Sequence, residues 1–159
     1  MMDLESVSAT LELQQLISDY WHELDSNGAR NVTDYYTEDC SFIAGAAFNL
    51  KGRAGVRQFY DDRAKHVATE KDGIRNTRHL AANVRISLTG RNSAIVEFVM
   101  VNYSGAGAPP VKDFTGPSMV SDVYWDCRRE ADGKWRLVTF RGEPQFIGGE
   151  NFIGKVLGK

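Results

Sequence analysis

Thr77-Arg78-His79-Leu80-Ala81-Ala82-Asn83-Val84-Arg85-Ile86-Ser87-Leu88 alternates with a period of two. Leu80, Ala82, Val84, Ile86 and Leu88 take one face, and His79, Ala81, Asn83 and Arg85 take the other. That period belongs to a half-buried strand, so the spacing predicts a long β-strand here. The chain downstream continues in the same manner. Gly90-Arg91-Asn92 reads as a turn, and Ala94 to Tyr103 is a near-continuous apolar run dense in Val, Ile and Phe. Gly105-Ala106-Gly107-Ala108-Pro109-Pro110 is a loop, because Gly and Pro both punctuate strands. Met119 to Arg129 alternates again, with Met119, Ser121, Val123, Trp125 and Cys127 on one face. Ala131-Asp132-Gly133-Lys134 is a hairpin turn of the Asp-Gly type, and Trp135 to Glu143 closes the sheet with Trp135, Leu137, Thr139 and Arg141 on one side.

Upstream the period changes. Leu13, Leu16, Ile17, Tyr20, Trp21 and Leu24 recur at three- and four-residue spacing, which predicts a helix starting near Ala9 with Ser8 or Thr10 as its cap. Asp25-Ser26-Asn27-Gly28 ends it. A second short helix is expected from Ala29 to Tyr36, stopping at Thr37-Glu38-Asp39. Cys40 to Ala44 and Phe48 to Gly52 read as short strands joined through Gly45-Ala46-Ala47, and a third helix runs from Gly52 to about His66. Helices gathered before long antiparallel strands argue for an α+β fold, with the N-terminal helices packed on a curved antiparallel sheet. A single domain is expected over 1–159, with a core over about residues 9–146 and a Gly-rich tail over 147–159 that drapes across a pocket mouth or a neighbouring subunit.

Composition narrows the function classes. The 159 residues are 42% hydrophobic and include 8 Phe, 6 Tyr and 3 Trp, enough to build a core and too apolar for a disordered chain. No apolar run approaches the ~18 residues of a membrane span. The start, MMDLESVSATLELQQL, lacks a basic segment followed by an apolar one, so no signal peptide is expected and a cytoplasmic location is. With 19 basic against 21 acidic residues, neither nucleic acid nor a membrane surface is an electrostatically suited partner. Two cysteines, Cys40 and Cys127, give no zinc motif and no disulfide framework. His22, His66 and His79 form no ligand-spaced pair, and the Gly pairs lack phosphate-loop context, so neither metal nor cofactor is expected.

What remains is a small titratable set: Asp25 at the end of the first helix, His79 opening a long strand, and Arg141 in the last one, with Tyr20, Tyr36, Tyr103 and Tyr124 nearby in type. Asp25 has two readings, a solvated helix-end carboxylate or the partner of a base. His79 likewise reads as a strand histidine bonded to backbone or as that base, since an imidazole titrates near neutral pH and a carboxylate behind it fixes its tautomer. Alternation places His79 opposite the apolar set, a conflict that a bulge early in the strand resolves. Arg141, sharing a face with Trp135 and Leu137, points inward to an anion or reaches solvent from an edge. Trp21, Phe98, Trp125, Trp135 and Phe140 are core aromatics by type, which is compatible with lining an apolar pocket.

Several stretches carry a family resemblance: Ile17-Ser18-Asp19-Tyr20-Trp21-His22-Glu23-Leu24-Asp25, Tyr36-Thr37-Glu38-Asp39-Cys40-Ser41-Phe42, Gly52-Arg53-Ala54-Gly55-Val56, Thr77-Arg78-His79-Leu80 with Asn83-Val84, and Asp132-Gly133-Lys134-Trp135. Over Leu13 to about Phe146 the chain resembles the SnoaL-like branch of the nuclear transport factor 2-like superfamily, which implies a cone-shaped, cystatin-like α+β barrel. Scytalone dehydratase, hexachlorocyclohexane dehydrochlorinase and bile-acid 7α-dehydratase, members of that superfamily, pair an Asp at the end of the first helix with a His early in the first long strand. Those positions fall on Asp25 and His79. The bile-acid enzyme also implies roles for Tyr20 and Arg141. The second catalytic His of scytalone dehydratase has no counterpart here, where only Pro117, Ser118 and Met119 stand.

The resemblance implies a cofactor-independent lyase acting on a small hydrophobic, cyclic or aromatic molecule by elimination or C–C cleavage. His79 would be the base, Asp25 its orienting partner, Tyr20 a hydrogen-bond donor and Arg141 an anion stabiliser. Trp21, Tyr36, Phe98, Met100, Met119, Ser121 and Trp125 are expected to line the pocket. A ketosteroid-isomerase-like or polyketide-cyclase-like enzyme and a non-catalytic binding or assembly module stay open. A homodimer or homotrimer is expected through outward residues such as Val99, Val101 and Tyr124.

Overall fold

The structure, a computed structural model, describes residues 3–149 and 152–158. Helix α1 (Leu4–Ser26) buries Ala9, Leu13, Leu16, Ile17, Tyr20 and Trp21 along the predicted stripe. It begins at Leu4 rather than near Ala9, because the Asp3 side chain caps it by accepting the Ser6 N–H at 2.8 Å. Asn27 closes it, and Gly28 and Ala29 take left-handed backbone conformations at φ +63° and +60°. The second helix expected over Ala29–Tyr36 shrinks to one 3₁₀ turn, Val32–Tyr35, and Tyr36 instead opens strand β1 (Tyr36–Ala44). Pairing of Tyr36 with Leu137 overrides the local helical pattern, so Thr37, Glu38 and Asp39 lie within the strand.

Strand β2 (Phe48–Lys51) returns antiparallel to β1, and helix α2 (Gly52–Val67) buries Val56, Phe59 and Tyr60. The long strands follow: β3 (Arg75–Gly90), β4 (Ser93–Ala106), β5 (Met119–Arg129) and β6 (Trp135–Ile147). One six-stranded sheet results, ordered β2-β1-β6-β5-β4-β3. It is antiparallel except at one seam, where β1 and β6 run parallel, a departure from the wholly antiparallel sheet the sequence suggests. The α+β class stands, with helices on one face of a curved sheet around an aromatic core that includes Tyr20, Trp125 and Phe140. Among the described residues no helix is long and apolar enough to cross a membrane.

Two bulges set which side chains face that core. In β3, Ala82 pairs with Val99 and Arg85 with Glu97, so Asn83 and Val84 together oppose Phe98 alone. Asn83 absorbs the extra residue at φ +53°. Side-chain parity therefore switches in mid-strand. Arg75, Thr77 and His79 face inward before the bulge, and Ile86 and Leu88 do so after it. The apolar set read as one face is split, and Leu80 is left 51% exposed on the outside. In β6, Asp126 pairs with Thr139 while Cys127 pairs with Leu137, which leaves Val138 as the extra residue. Trp135 and Leu137 are buried before it, Phe140 and Gly142 after it, and Arg141 is exposed. The inward Arg141 is thus corrected: its guanidinium lies 6.0 Å from the ring of Tyr124, outside the barrel.

The tail returns across the open end of the sheet. The Gly148 N–H donates to Ser118 O at 2.8 Å, and a side chain there would bring Cβ to 2.5 Å from Pro117 O, so only Gly permits the approach. Helix α3 (Phe152–Val156) then buries Phe152. Residues 150, 151 and 159 of the expected tail lie outside the described residues.

Candidate active site

A cavity of about 320 Å³ opens between the helices and the concave face of the sheet. Trp21 and Leu24 of α1 and Phe59, Tyr60 and Arg63 of α2 form one side. Arg75, Thr77 and His79 of β3, Met100, Asn102 and Ser104 of β4, and Met119, Ser121 and Val123 of β5 form the sheet side. Phe42 of β1, Phe48 of β2, Phe140 and Gly142 of β6, and Phe152, Ile153 and Leu157 of the tail also line it. Its volume falls at the lower end of small-molecule sites, roughly 300–1,000 Å³.

His79 and Asp25 meet at its edge. The His79 Nδ1 donates to Asp25 Oδ1 at 2.6 Å, and the backbone N–H of His79 donates to Oδ2 at 2.8 Å. The Thr77 hydroxyl adds a third hydrogen bond to Oδ1, also 2.8 Å. Burial pushes the Asp25 carboxyl up, but the hydrogen bonds from His79 and its charge, joined by Thr77, outweigh that and hold it below its ordinary value of 3.8. The carboxylate accepts only, so it fixes the proton of the neutral ring on Nδ1 and leaves a lone pair on Nε2. Nε2 faces Asn102, whose Nδ2 donates to it at 2.6 Å. The indole of Trp21 stacks on the imidazole, centroids 4.4 Å apart and planes 12° apart, which fixes the ring's plane.

Behind the α2 wall lies a cluster of three phenols. Tyr20 Oη is 2.8 Å from Tyr36 Oη and 3.3 Å from Tyr60 Oη. Burial pushes all three above the usual value of 10.0, so each stays a neutral hydroxyl. Of the three, only Tyr60 lines the cavity. If Tyr36 donates to Tyr20 and Tyr20 to Tyr60, the Tyr60 proton is left for a bound molecule.

The expected lining residues divide. Trp21, Met100, Met119 and Ser121 are on the cavity wall. Tyr36 and Trp125 are fully buried and Phe98 nearly so, packed among Tyr20, Trp21 and Phe42 one layer behind the wall. Tyr20 shares that layer, and Arg141 lies outside the barrel. The bulges and the packing of α1 on the sheet decide this division, and alternation alone does not reveal it.

Thr77, Tyr60, Arg63, Arg75 and Asn102 were not anticipated. Asn102 carries a signal, since it is the one amide in the largely apolar Ala94–Tyr103 run, and it sits directly opposite His79 in the β3–β4 register. Arg75 has a wholly buried side chain, paired with Glu70 through Nε to Oε2 at 2.7 Å and again through Nη2, and its Nη1 donates to Ser104 Oγ at 3.0 Å. Its guanidinium carbon stands 3.9 Å over the Phe152 ring, and that of Arg63 lies 5.5 Å from the same ring. Among the described residues no group of three or more His, Cys, Asp or Glu side chains is placed to hold a metal ion.

Structural relatives share this architecture. A protein of Novosphingobium aromaticivorans described as a candidate scytalone dehydratase superposes with a TM-score of 0.77 at 15% identity, over 94% of this chain and 93% of its own. ActVI-ORFA of Streptomyces coelicolor gives 0.72 at 18%, over 87% and 98%. The type 2 hexachlorocyclohexane dehydrochlorinase LinA gives 0.72 at 14%, over 92% of both chains. At such identities the likeness is one of fold. No curated protein matches the sequence. The model of the SnoaL-like domain matches residues 5–141, most of the chain, from α1 into β6. The chain belongs to the SnoaL-like domain family, within the nuclear transport factor 2-like superfamily.

Proposed function

We propose that the cavity is the active site of a cofactor-independent lyase in which His79 is the general base. One observation carries the reading: a carboxylate-held imidazole on the wall of a largely apolar cavity. In the elimination, Nε2 takes a proton from a C–H of a small hydrophobic ring. The C–H electron pair forms the new double bond, and the leaving group departs with its own pair. Where that group is hydroxide, the imidazolium returns the proton and water leaves. Asp25 offsets the charge that develops on the ring, and the surrounding apolar wall strengthens that attraction. Asn102 occupies the one lone pair of neutral Nε2, so its amide must swing aside before the ring takes a proton, and its oxygen can then accept from the imidazolium. Tyr60, in place of Tyr20, supplies a neutral hydroxyl to a departing or developing oxygen. Arg141 has no part in this reading.

The fold neighbours named as a dehydratase and a dehydrochlorinase support elimination over other chemistries of the same base. A panel of small cyclic β-hydroxy ketones, followed by mass spectrometry, tests it. Loss of water is expected with the wild-type protein, at a rate lowered by roughly 10²–10⁴ in His79→Ala. Conversion to a product of unchanged mass would instead point to an isomerase, and a His79→Ala rate equal to wild type would remove the base altogether.

A further inference from the structure

We propose that Arg63 is the anion-recognition residue of the cavity, and that the molecule bound there is an apolar ring system carrying a carboxylate. The inference deepens the active-site reading and rests on it for the location of the ligand, but it concerns binding and not proton transfer.

Helix α2 supplies its own comparison. Arg53 pairs with Glu38 at 2.8 Å and donates to Tyr36 O at 2.8 Å. Arg57 pairs with Asp61 at 2.9 Å and donates to two carbonyl oxygens, those of Ala29 and Arg30, at 2.9 and 3.0 Å. Arg63, the third arginine of the same helix, is half-buried and lines the cavity, yet it pairs with no carboxylate and makes no hydrogen bond among the described residues. Its guanidinium carbon lies 5.5 Å from the centre of the Phe152 ring. The carboxylates near it are committed elsewhere: Asp25 to His79 and Thr77, and Glu70 to Arg75. The described residues of the cavity wall include no Asp or Glu at all.

A partly desolvated guanidinium with five donors and no acceptor carries an electrostatic demand that the described residues leave without a direct partner. A carboxylate meets it in the fork-to-fork geometry that guanidinium favours. Phe42, Phe48, Phe59 and Phe140 on the rest of the wall suit a ring and offer little to a more polar body. A ligand touching both Arg63 and His79 would present its anion to the one and a C–H to the other.

Isothermal calorimetry with 2-naphthoate and its neutral counterpart 2-naphthamide decides the matter. The wild-type protein should prefer the acid by about tenfold or more, the size of a charged hydrogen bond. Arg63→Met should erase the preference while leaving naphthamide affinity unchanged, and Arg63→Lys should keep part of it, which guards against a folding defect in the first variant. His79→Ala should retain the preference, so loss of turnover and loss of anion recognition are separable. Equal affinities in the wild type, no measurable naphthoate binding at millimolar concentration, or a preference that survives Arg63→Met would overturn the proposal. So would a preference that disappears in His79→Ala. Normal turnover by His79→Ala, with the preference intact, would remove the base and leave Arg63 in its role.

Discussion

Asp25 holds His79 through two hydrogen bonds, receiving its ring N–H and its backbone N–H, and is itself fixed by a third from the Thr77 hydroxyl. Ring and backbone are clamped by one carboxylate, so the imidazole has little freedom to turn away. Asp25→Asn keeps the size of the side chain but replaces one acceptor with a donor, which favours the wrong tautomer. Turnover should fall by orders of magnitude while far-UV circular dichroism stays unchanged. The same clamp predicts a pH dependence of stability. The folded carboxyl is held below its ordinary 3.8, so its contribution is complete above that value and disappears as pH falls through the lower folded value. Urea unfolding of wild type and Asp25→Asn should therefore differ in full at pH 6, and the difference should shrink only as pH falls below 3.8. A gap that widens on acidification would contradict the clamp.

At the scale of the element, β3 works because it is not regular. The bulge at Asn83-Val84 lets one strand present His79 inward near one end and Ile86 and Leu88 inward near the other. Asn tolerates the left-handed conformation at φ +53°, and a β-branched residue does not. Asn83→Val should lose about 1–2 kcal/mol in urea unfolding, while Asn83→Gly should be close to neutral. Deleting Asn83 removes the bulge, turns His79 outward and should abolish turnover. This element also marks how far the sequence is legible. Helix α1, the β5 alternation and the Asp-Gly turn follow from spacing, because short-range pattern is what fixes them. The conflict over His79 was visible as a parity mismatch, and a bulge was its expected remedy, though in mid-strand and not early. The bulge at Val138 left no such mismatch to notice, since Thr139 and Arg141 read plausibly on either face, and Arg141 was misplaced for that reason. Tyr36, Phe98 and Trp125 lie behind the wall and not on it, because depth within a core is set by packing between layers, to which sequence period is blind.

For the whole molecule, the cavity is closed by parts far apart in sequence: α1 and α2 on one side, residues of all six strands on the other, and the tail across the mouth. The tail contributes Phe152, Ile153 and Leu157 to the wall, but the sheet pairs fully without it. Truncation after Ile147 should leave the fold intact by circular dichroism and weaken 2-naphthoate binding by about tenfold, the scale of one buried aromatic side chain. An unchanged affinity would show that the tail does not close the site.

All of this depends on how His79 holds its proton. Long-range ¹H–¹⁵N correlation spectra of ¹⁵N-histidine-labelled protein at neutral pH report that directly. A protonated Nδ1 and a bare, pyridine-type Nε2 on His79, with the pattern lost in Asp25→Asn, is the predicted result. A proton resident on Nε2 in the wild type, or a pattern indifferent to Asp25, would contradict the account.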